Sequence, residues 1–397
     1  MTETVPPPLA GVTVVSIEQA VAAPFATRQL ADLGARVIKI ERPGVGDFAR
    51  RYDETVHGQS SNFVWLNRSK RSLTLDVKSA DGRAILAELL GTADVFVQNL
   101  APGAAARLGI DAASLAHTHP RVIPCTITGY GGDGPWADRK AYDLLVQCET
   151  GVVSLTGTSD ELAKIGISVA DIAAGMYAYS GILTALYRRA TTGMVSAVDV
   201  SLFDALAEWM GAPAYYTLYS GQQPERVGIA HATVAPYGPY VTATRDTVVL
   251  GIQNEREWPA FCRIVLDDPA LTDDPRFATN SARVAHRAEL DAVITARFAT
   301  LDTETARLLL DKATIANASL NSVAGFLDHP VLRERDRWRT VDTPAGQIRA
   351  LVPPVDLAGT APVFGPVPAV GEHTDEILRE LGRTDDDIAA LRTAGVI

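Results

Sequence analysis

Short apolar runs, mostly of β-branched residues, alternate with stretches of helical periodicity through roughly the first 200 residues. The runs have the length of strands, and the stretches between them are long enough to form crossover helices. Parallel strands need such crossovers, and near-continuous apolar strands are typical of a sheet covered by helices on both faces. The pattern therefore predicts a parallel sheet, with strands at residues 12–15, 36–40, 94–97, 121–128 and 196–201.

Helices are predicted between and after these strands. The longest spans residues 171–189 and is rich in Ala, Met, Tyr and Leu, while the last is interrupted near Pro213 because proline breaks helical hydrogen bonding. The predicted helices of this half lie at residues 27–33, 79–91, 171–189 and 202–219.

The character of the chain changes after residues 221–224. A strand-like piece at 247–252 is followed by helical segments around 256–266 and 281–298, which indicates a smaller second domain. The tail is rich in proline over 344–368 and predicts a linker, followed by a polar helix at about 375–391.

The composition excludes several classes of protein. Apolar residues make up 47% and charged residues 21% of the 397-residue chain, which is ordinary for a globular protein and excludes disorder. A net charge of −11 argues against a nucleic-acid or anionic-membrane surface. The three cysteines are widely spaced, no basic and apolar leader is found, and no uncharged apolar run reaches about 18 residues. A cytoplasmic protein without a membrane span is therefore expected.

Asp171 is the carboxylate whose sequence context is most unusual. It follows an apolar stretch and begins a mostly apolar helix, with Ala173, Ala174 and Gly175 directly after it. One interpretation is an N-cap, whose oxygen accepts a backbone N–H. The other is a nucleophilic carboxylate at a helix amino end, where small neighbours leave room for a substrate.

Basic residues cluster near two predicted strand ends. In a chain of negative net charge they favour a site for a multiply phosphorylated ligand, although a solvated charged face remains an alternative. The cluster comprises Lys39, Arg42, Arg50, Arg51, Arg68, Lys70 and Arg71.

The histidines and the usual motifs predict neither a metal site nor hydride chemistry. No histidine pair has the helical spacing of metal ligands, and the nucleotide and hydrolase motifs are missing. His231 stands in a loop with Gly228, Tyr237 and Tyr240, which either lines a pocket or packs between domains.

Several motifs together resemble the class III CoA-transferase family of the CaiB/BaiF type, and within it the members specific for dicarboxylates. They follow in order over roughly residues 10–205, and they are residues 33–44 with Gly46 and Asp47, 67–73, 99–103, 107–109, 128–135, 140–143 and 171–175.

The resemblance implies that Asp171 is the nucleophile of a CoA transfer between carboxylic acids. Its carboxylate attacks the donor thioester, and a mixed anhydride and then an aspartyl-CoA thioester form before the acceptor takes the CoA. Backbone N–H groups of the glycine-rich turn at 129–132 are expected to stabilise the oxyanion. Acyl-CoA is a substrate in this scheme, and neither a prosthetic group nor a metal is implied.

The resemblance also implies a fold, a CoA site and an assembly. The fold is α/β, with a large Rossmann-like parallel-sheet domain over 1–220 and a smaller α+β domain over 225–330, and residues 331–397 return to the large domain. Two chains form an interlocked homodimer. The residues implied to bind CoA are Arg42, Lys70, Arg71, Asn99, Arg107, Lys140 and Tyr142.

Two departures narrow the expected reaction. Tyr142 stands where racemases of this fold carry a histidine before an aspartate, so transfer is favoured over racemisation. The small domain lacks the run of glycines found in transferases for formate and oxalate, so dicarboxylates of four or five carbons are expected: succinate, mesaconate, itaconate or citramalate. Transfer between two molecules and transfer between the two carboxyls of one molecule both remain open.

A second substrate carboxylate needs a cationic or hydrogen-bonding partner. The candidates are Arg226, His231, Tyr237 and Arg256. The alternatives to transfer are a 2-methylacyl-CoA racemase, a thioesterase and an acyl-CoA-binding protein without catalysis in which Asp171 caps its helix.

Overall fold

The structure is a computed structural model that describes residues 6–397. Three sheets are formed: a six-stranded parallel sheet in the order β3-β2-β1-β4-β5-β6, an antiparallel sheet β7-β8-β9 and a hairpin β10-β11. The predicted α/β fold with a parallel sheet is confirmed. The strands are β1 (Thr13–Ile17), β2 (Arg36–Glu41), β3 (Lys70–Thr74), β4 (Val95–Gln98), β5 (Ile123–Thr128), β6 (Val198–Ser201), β7 (Tyr237–Val241), β8 (Thr247–Gly251), β9 (Ala316–Ser319), β10 (Trp338–Thr343) and β11 (Gly346–Leu351).

Helices connect the parallel strands and make up most of the remaining regular structure. They are α1 (Ala22–Asp32), α2 (Ser61–Leu66), α3 (Ala80–Thr92), α4 (Ala104–Leu108), α5 (Ala112–Thr118), α6 (Asp143–Glu149), α7 (Val152–Leu155), α8 (Val169–Thr192), α9 (Leu202–Trp209), α10 (Gly211–Ser220), α11 (Glu257–Ala260), α12 (Asn280–Ala285), α13 (Arg287–Phe298), α14 (Thr303–Lys312), α15 (Val323–Leu327), α16 (Pro330–Glu334), α17 (Thr374–Glu380) and α18 (Asp385–Thr393).

The parallel sheet has the strand order of a dinucleotide-binding fold. β1 pairs with β2 on one side and with β4 on the other, so the direction of winding reverses between β1 and β4. The loops that follow these two strands therefore diverge, and a crevice opens at the carboxyl edge of the sheet. Ligands of open α/β sheets bind in such a crevice.

The chain divides into two compact units. The first contains the residues up to Thr150, Ile165–Gly211 and Glu334–Ile397, and the second contains Gly151–Lys164 and Ala212–Arg333. The first unit thus includes the tail after residue 333. The second unit takes in residues 151–164 and residues 212–220, which the sequence analysis had assigned to the large domain.

Each unit has its own apolar core. In the first, helices α3 and α17 cover the sheet over Val15, Ile38 and Phe96. In the second, the antiparallel sheet packs with helices around large aromatic side chains, among them Trp258 and Phe277. Strands β1 and β4 are buried on both faces, which explains why their sequences are apolar without alternation.

Helix α8 packs through small residues. A Cβ at Gly175 would lie 2.7 Å from the Ala22 carbonyl oxygen, and one at Gly181 would lie 2.7 Å from Val198 Cγ1. Within the described residues, α8 is long and apolar enough to cross a membrane by length and composition alone. Its buried face packs against α1 and β6 inside the first unit, and core helices commonly pass that test.

Three predicted elements need correction. The predicted linker at 344–368 contains strand β11, and the predicted tail helix is divided into α17 and α18. The helix over 202–219 is interrupted as predicted, but at Met210 and not near Pro213. Strand β3 is not among the predicted elements, because its sequence begins with Lys70 and Arg71 and lacks an apolar run.

Candidate active site

Asp171 is the third residue of α8 and lies in its first turn. Because α8 runs from β5 back to β6, its amino end lies at the carboxyl edge of the parallel sheet. The N-cap is Ser168, which makes no side-chain cap. Within residues 6–397, the partly buried Asp171 carboxylate accepts no hydrogen bond from another group. The capping interpretation of Asp171 is therefore not supported.

The environment of Asp171 disfavours its charged form. Burial raises the pKa of Asp171 to about 7, and the negative charge of Asp143 adds to the shift. A carboxylate with this pKa is divided between its protonated and charged forms near neutrality.

Asp143 occupies the position that a capping side chain would take at α8. Its Oδ1 accepts the backbone N–H of Ala170 at 2.8 Å and that of Asp171 at 3.4 Å. Its Oδ2 accepts the Gln147 side-chain amide at 2.7 Å, while Gln147 Oε1 accepts the Ile165 N–H at 2.9 Å. Asp143 thereby joins α6 to the turn that carries Asp171.

Tyr52 is a second neighbour that the sequence analysis did not single out. Burial raises the pKa of Tyr52 to about 12, and the charges of Asp47 and Asp171 contribute. The Tyr52 phenol therefore keeps its proton and lies within electrostatic reach of Asp171. A tyrosine after a 3-10 helix at Phe48–Arg51 has no local sequence signal for such a role.

The loop between β1 and α1 lies one helical turn from Asp171. The Ala22 carbonyl meets α8 at Gly175, which follows Asp171 by one turn. Two residues earlier, Ala20 has φ 63°, a left-handed conformation uncommon outside glycine.

Three of the basic residues implied to bind CoA are exposed and free. Arg42 follows β2, Arg107 lies in α4 with its guanidinium beside Gly103, and Lys140 precedes α6. None of them forms an ion pair or side-chain hydrogen bond with any residue of the described chain. Tyr142 is also open to solvent, with 66% of its surface exposed. These side chains are available to a ligand.

The other three residues implied to bind CoA are engaged within the protein. Lys70 is buried, and its ammonium group contacts Glu18 Oε1 at 2.7 Å. The Arg71 guanidinium pairs with Glu376 and Glu380 on α17 at 3.1 and 3.2 Å. Asn99 uses its side-chain amide to bind the backbone of Gln19. Lys70 cannot reach a nucleotide here, and the amide of Asn99 is directed at the Gln19 backbone, so neither is proposed as a CoA ligand.

The glycine-rich turn is held firmly. A Cβ at Gly129 would lie 2.3 Å from Ala141 Cβ, and the Gly131 N–H donates to Thr128 Oγ1 at 3.1 Å. That N–H is already engaged, so the predicted oxyanion role does not fall to Gly131 in this conformation. The Arg139 guanidinium lies 3.9 Å from the centre of the Trp136 ring, a cation–π contact within the same loop.

The four substrate candidates lie in the second unit and differ in availability. Arg226 donates to the carbonyl oxygens of Thr158, Ser154 and Ser159, so its guanidinium is occupied and the prediction for it is withdrawn. The exposed Arg256 side chain has no hydrogen bond or ion pair with any described residue.

His231 stacks on Tyr237, with ring centres 5.4 Å apart. Its Nδ1 lies 3.2 Å from the Thr233 N–H and accepts it, so a neutral His231 carries its proton on Nε2. The part of the chain that the structure describes has no cluster of three or more His, Cys, Asp or Glu side chains able to hold a metal.

Comparison with known proteins identifies the family. Residues 9–374 match the model described as CoA-transferase family III. The chain therefore belongs to CoA-transferase family III, and the resemblance in its sequence is confirmed. Its activity is CoA transfer.

Relatives and solved structures match this chain over nearly its whole length. The succinyl-CoA:glutarate CoA-transferase of Mus musculus is 33% identical over 395 residues, covering 98% of this chain and 90% of that protein. The succinyl-CoA–D-citramalate CoA-transferase of Chloroflexus aurantiacus is 31% identical over 399 residues, covering 99% and 98%. The crystal structure of a CAIB/BAIF family protein from Brucella suis superposes with a TM-score of 0.82 at 33% identity, covering 95% and 100%.

Proposed function

We propose that this enzyme transfers CoA through a thioester on Asp171, and that its acceptors are dicarboxylates of four or five carbons. The observation that carries the proposal is the Asp171 carboxylate: it stands in the first turn of α8, partly buried and without a hydrogen-bond donor among the described residues. A carboxylate without a structural partner at a ligand-binding edge of the sheet is poised to react.

The steps balance without ATP, metal or water. An Asp171 oxygen attacks the donor thioester carbonyl, which expels CoA thiolate and leaves a mixed anhydride. The thiolate attacks the Asp171 acyl carbon, which releases the donor acid and forms aspartyl-CoA. The acceptor carboxylate then attacks the aspartyl-CoA carbonyl, which expels CoA thiolate and leaves a second mixed anhydride. The thiolate attacks the acceptor acyl carbon of this anhydride, which forms the new acyl-CoA and frees the Asp171 carboxylate.

The exposed cations favour a CoA nucleotide near the crevice. Arg42, Arg107 and Lys140 supply three positive charges without internal partners, which suits the phosphates of CoA. Tyr142 completes this set, whereas Arg71 is half-exposed but paired with Glu376 and Glu380 and should contribute little to CoA binding. For the second carboxylate we retain His231, which can donate from Nε2, together with Tyr237 and Arg256.

Acyl exchange with trapping tests the proposal. The protein is incubated with succinyl-CoA and glutarate, citramalate, mesaconate, itaconate or oxalate, and new acyl-CoA species are followed by mass spectrometry. Hydroxylamine added during turnover should convert aspartyl-CoA to a hydroxamate on the peptide that contains Asp171. Asp171→Asn should abolish both signals.

Asp81→Asn is the matched control, because Asp81 also lies in the first turn of a helix but is exposed. Exchange that survives in Asp171→Asn, or a hydroxamate on another residue, contradicts the assignment of Asp171. Exchange with oxalate alone contradicts the proposed class of four- and five-carbon dicarboxylates, because oxalate has two carbons. Deuterium uptake at C2 of a 2-methylacyl-CoA without an acceptor identifies a racemase instead.

The proposed assembly is an interlocked homodimer in the cytoplasm. Large side chains on α10 support an interface, because Leu218 and Tyr219 are 70% and 81% exposed. The free, buried Cys125 and Cys262 suit a reducing compartment. Light scattering should give twice the mass of one chain, and a monomer contradicts the proposal.

A further inference from the structure

Asn99 lies where the winding of the parallel sheet reverses. It directly follows β4, and Gln19 and Ala20 follow the neighbouring strand β1. The last backbone hydrogen bond between the two strands runs from the Asn99 N–H to the Ile17 carbonyl oxygen at 3.4 Å, and the loops diverge beyond it.

The Asn99 side chain joins the two loops with a pair of hydrogen bonds. Its Oδ1 accepts the Gln19 N–H at 2.9 Å, and its Nδ2 donates to the Gln19 carbonyl oxygen at 2.9 Å. The amide thus satisfies both backbone groups of one residue, in the manner of a strand partner.

The next residue is held in a strained conformation. Ala20 has φ 63°, and its N–H donates to Asp47 Oδ1 at 3.2 Å. Asp47 is fixed in turn by the buried Lys39 ammonium group at 2.8 Å and by its own N–H, which donates to Glu41 Oε2 at 2.8 Å. Left-handed alanine persists only where its surroundings over-determine it, and such residues cluster at functional sites.

This segment leads into a close contact with α8, one helical turn after Asp171. Two residues after Ala20, the Ala22 carbonyl oxygen approaches Gly175 so closely that a Cβ there would lie 2.7 Å away. The charges of Asp47 and Asp171 both contribute to the raised pKa of Tyr52.

We propose that Asn99 is a positioning residue of the transfer reaction, which holds the Gln19–Ala20 segment just before the contact of Ala22 with α8 and does not bind the CoA nucleotide. The inference rests on the proposed function of Asp171. Small displacements of groups around a reacting centre lower the rate strongly while distant substrate contacts persist.

A comparison of Asn99→Ala with Arg107→Ala tests the inference. Asn99→Ala should lower kcat about tenfold to a hundredfold and leave KM for acyl-CoA within about twofold. Arg107→Ala, which removes a free exposed cation nearby, should raise KM about tenfold with kcat nearly unchanged. Amide exchange of residues 19–22 should speed up in Asn99→Ala alone.

Asn99→Asp keeps the acceptor for the Gln19 N–H and loses the donor to its carbonyl, so it should have an intermediate kcat. If Asn99→Ala does not fold, Asn99→Asp takes its place in the comparison with Arg107→Ala. A rise in KM like that of Arg107→Ala, with unchanged amide exchange at 19–22, overturns the inference. Hydroxylamine trapping in the unsubstituted enzyme separates the two proposals: without a hydroxamate on Asp171 the nucleophile is wrong, while kcat and amide exchange still decide the role of Asn99.

Discussion

The Asp143 carboxylate accepts the backbone N–H of Asp171, at 3.4 Å, and so stands beside the side chain of the same residue. It also accepts the Ala170 N–H at 2.8 Å. The first N–H groups of a helix ordinarily stabilise a negative charge in its first turn. Here two of them are taken by a second carboxylate, so α8 offers Asp171 little compensation for its burial. This arrangement explains why the pKa of Asp171 rises to about 7.

The raised pKa of Asp171 predicts an acid limb in the pH dependence of transfer. The charged form is the nucleophile, so kcat/KM should fall about tenfold per pH unit below pH 7 and level off above it. Asp143→Asn removes the neighbouring charge and keeps an oxygen for the Ala170 N–H. It should move the limb to lower pH by about one unit, because only part of the shift comes from Asp143.

Initial rates of acyl exchange between pH 5 and 9 measure this limb. Asp81→Asn is the control and should leave it in place, since Asp81 lies on a different helix, α3, and is exposed. An acid limb that stays at the same pH in Asp143→Asn would show that Asp143 does not act on the ionisation of Asp171.

The same pKa predicts that Asp171 lowers stability. The folded state holds a proton on Asp171 up to about pH 7, whereas the unfolded chain releases it near pH 4, so stability is lost as pH rises between these values. Asp171→Asn should therefore raise the free energy of unfolding at pH 8 by about 2 kcal/mol. Urea unfolding at pH 4, 6 and 8 should show the gain growing with pH, and a gain that is constant with pH contradicts the assigned pKa.

Free and paired cations should differ in their effect on CoA binding. Arg42→Ala and Lys140→Ala each remove a charge without an internal partner and should raise KM for acyl-CoA about tenfold, an effect that shrinks at high salt. Arg71→Ala should change KM less than about twofold, because Glu376 and Glu380 already neutralise Arg71. An equal effect of all three substitutions contradicts the division between free and engaged cations.

The parallel sheet could be predicted because its buried strands carry apolar runs of their own. Strand β3 could not: its first residues are Lys70 and Arg71, and the Lys70 charge is compensated by Glu18, which comes from the end of β1. The β10-β11 hairpin was missed because the prolines around it dominate the composition of that segment. A strand whose pairing or charge balance depends on distant residues leaves no local periodicity.

The candidate site shows the same division. Asp171 was found because its own neighbours, an apolar stretch before it and small residues after it, are local. In the sequence, Asp143 is only one residue of the 140–143 motif and Tyr52 has no local signal, because their relation to Asp171 arises only in the fold. The family resemblance implies that Asn99 and Lys70 bind CoA, but a motif does not show whether a polar side chain faces a ligand or the protein.

Glu18 should be indispensable to the fold because it balances two buried cations. Its Oε1 contacts Lys70 Nζ at 2.7 Å and Lys39 Nζ at 3.4 Å, with all three side chains fully buried. Burial would raise the pKa of Glu18, but Lys70 and Lys39 outweigh burial and lower it to about 2. Glu18 therefore stabilises the fold above about pH 4, and this contribution is lost as pH falls through about 2.

Glu18→Gln keeps the shape of the side chain and leaves the two lysines with Asp47 as their nearest anion, so it should lower the free energy of unfolding by about 3–5 kcal/mol. Burial lowers the pKa of Lys70, and the charge of Glu18 opposes that shift. If Lys70 loses its proton in the Glu18→Gln variant, one buried charge disappears and the loss of stability should lie at about 3 kcal/mol, the lower end of this range. Urea unfolding at pH 7 measures it. Glu376→Gln breaks the half-exposed pair with Arg71 and should cost less than about 1 kcal/mol. Equal costs for the two substitutions would mean that the Glu18 cluster contributes no more than a surface ion pair.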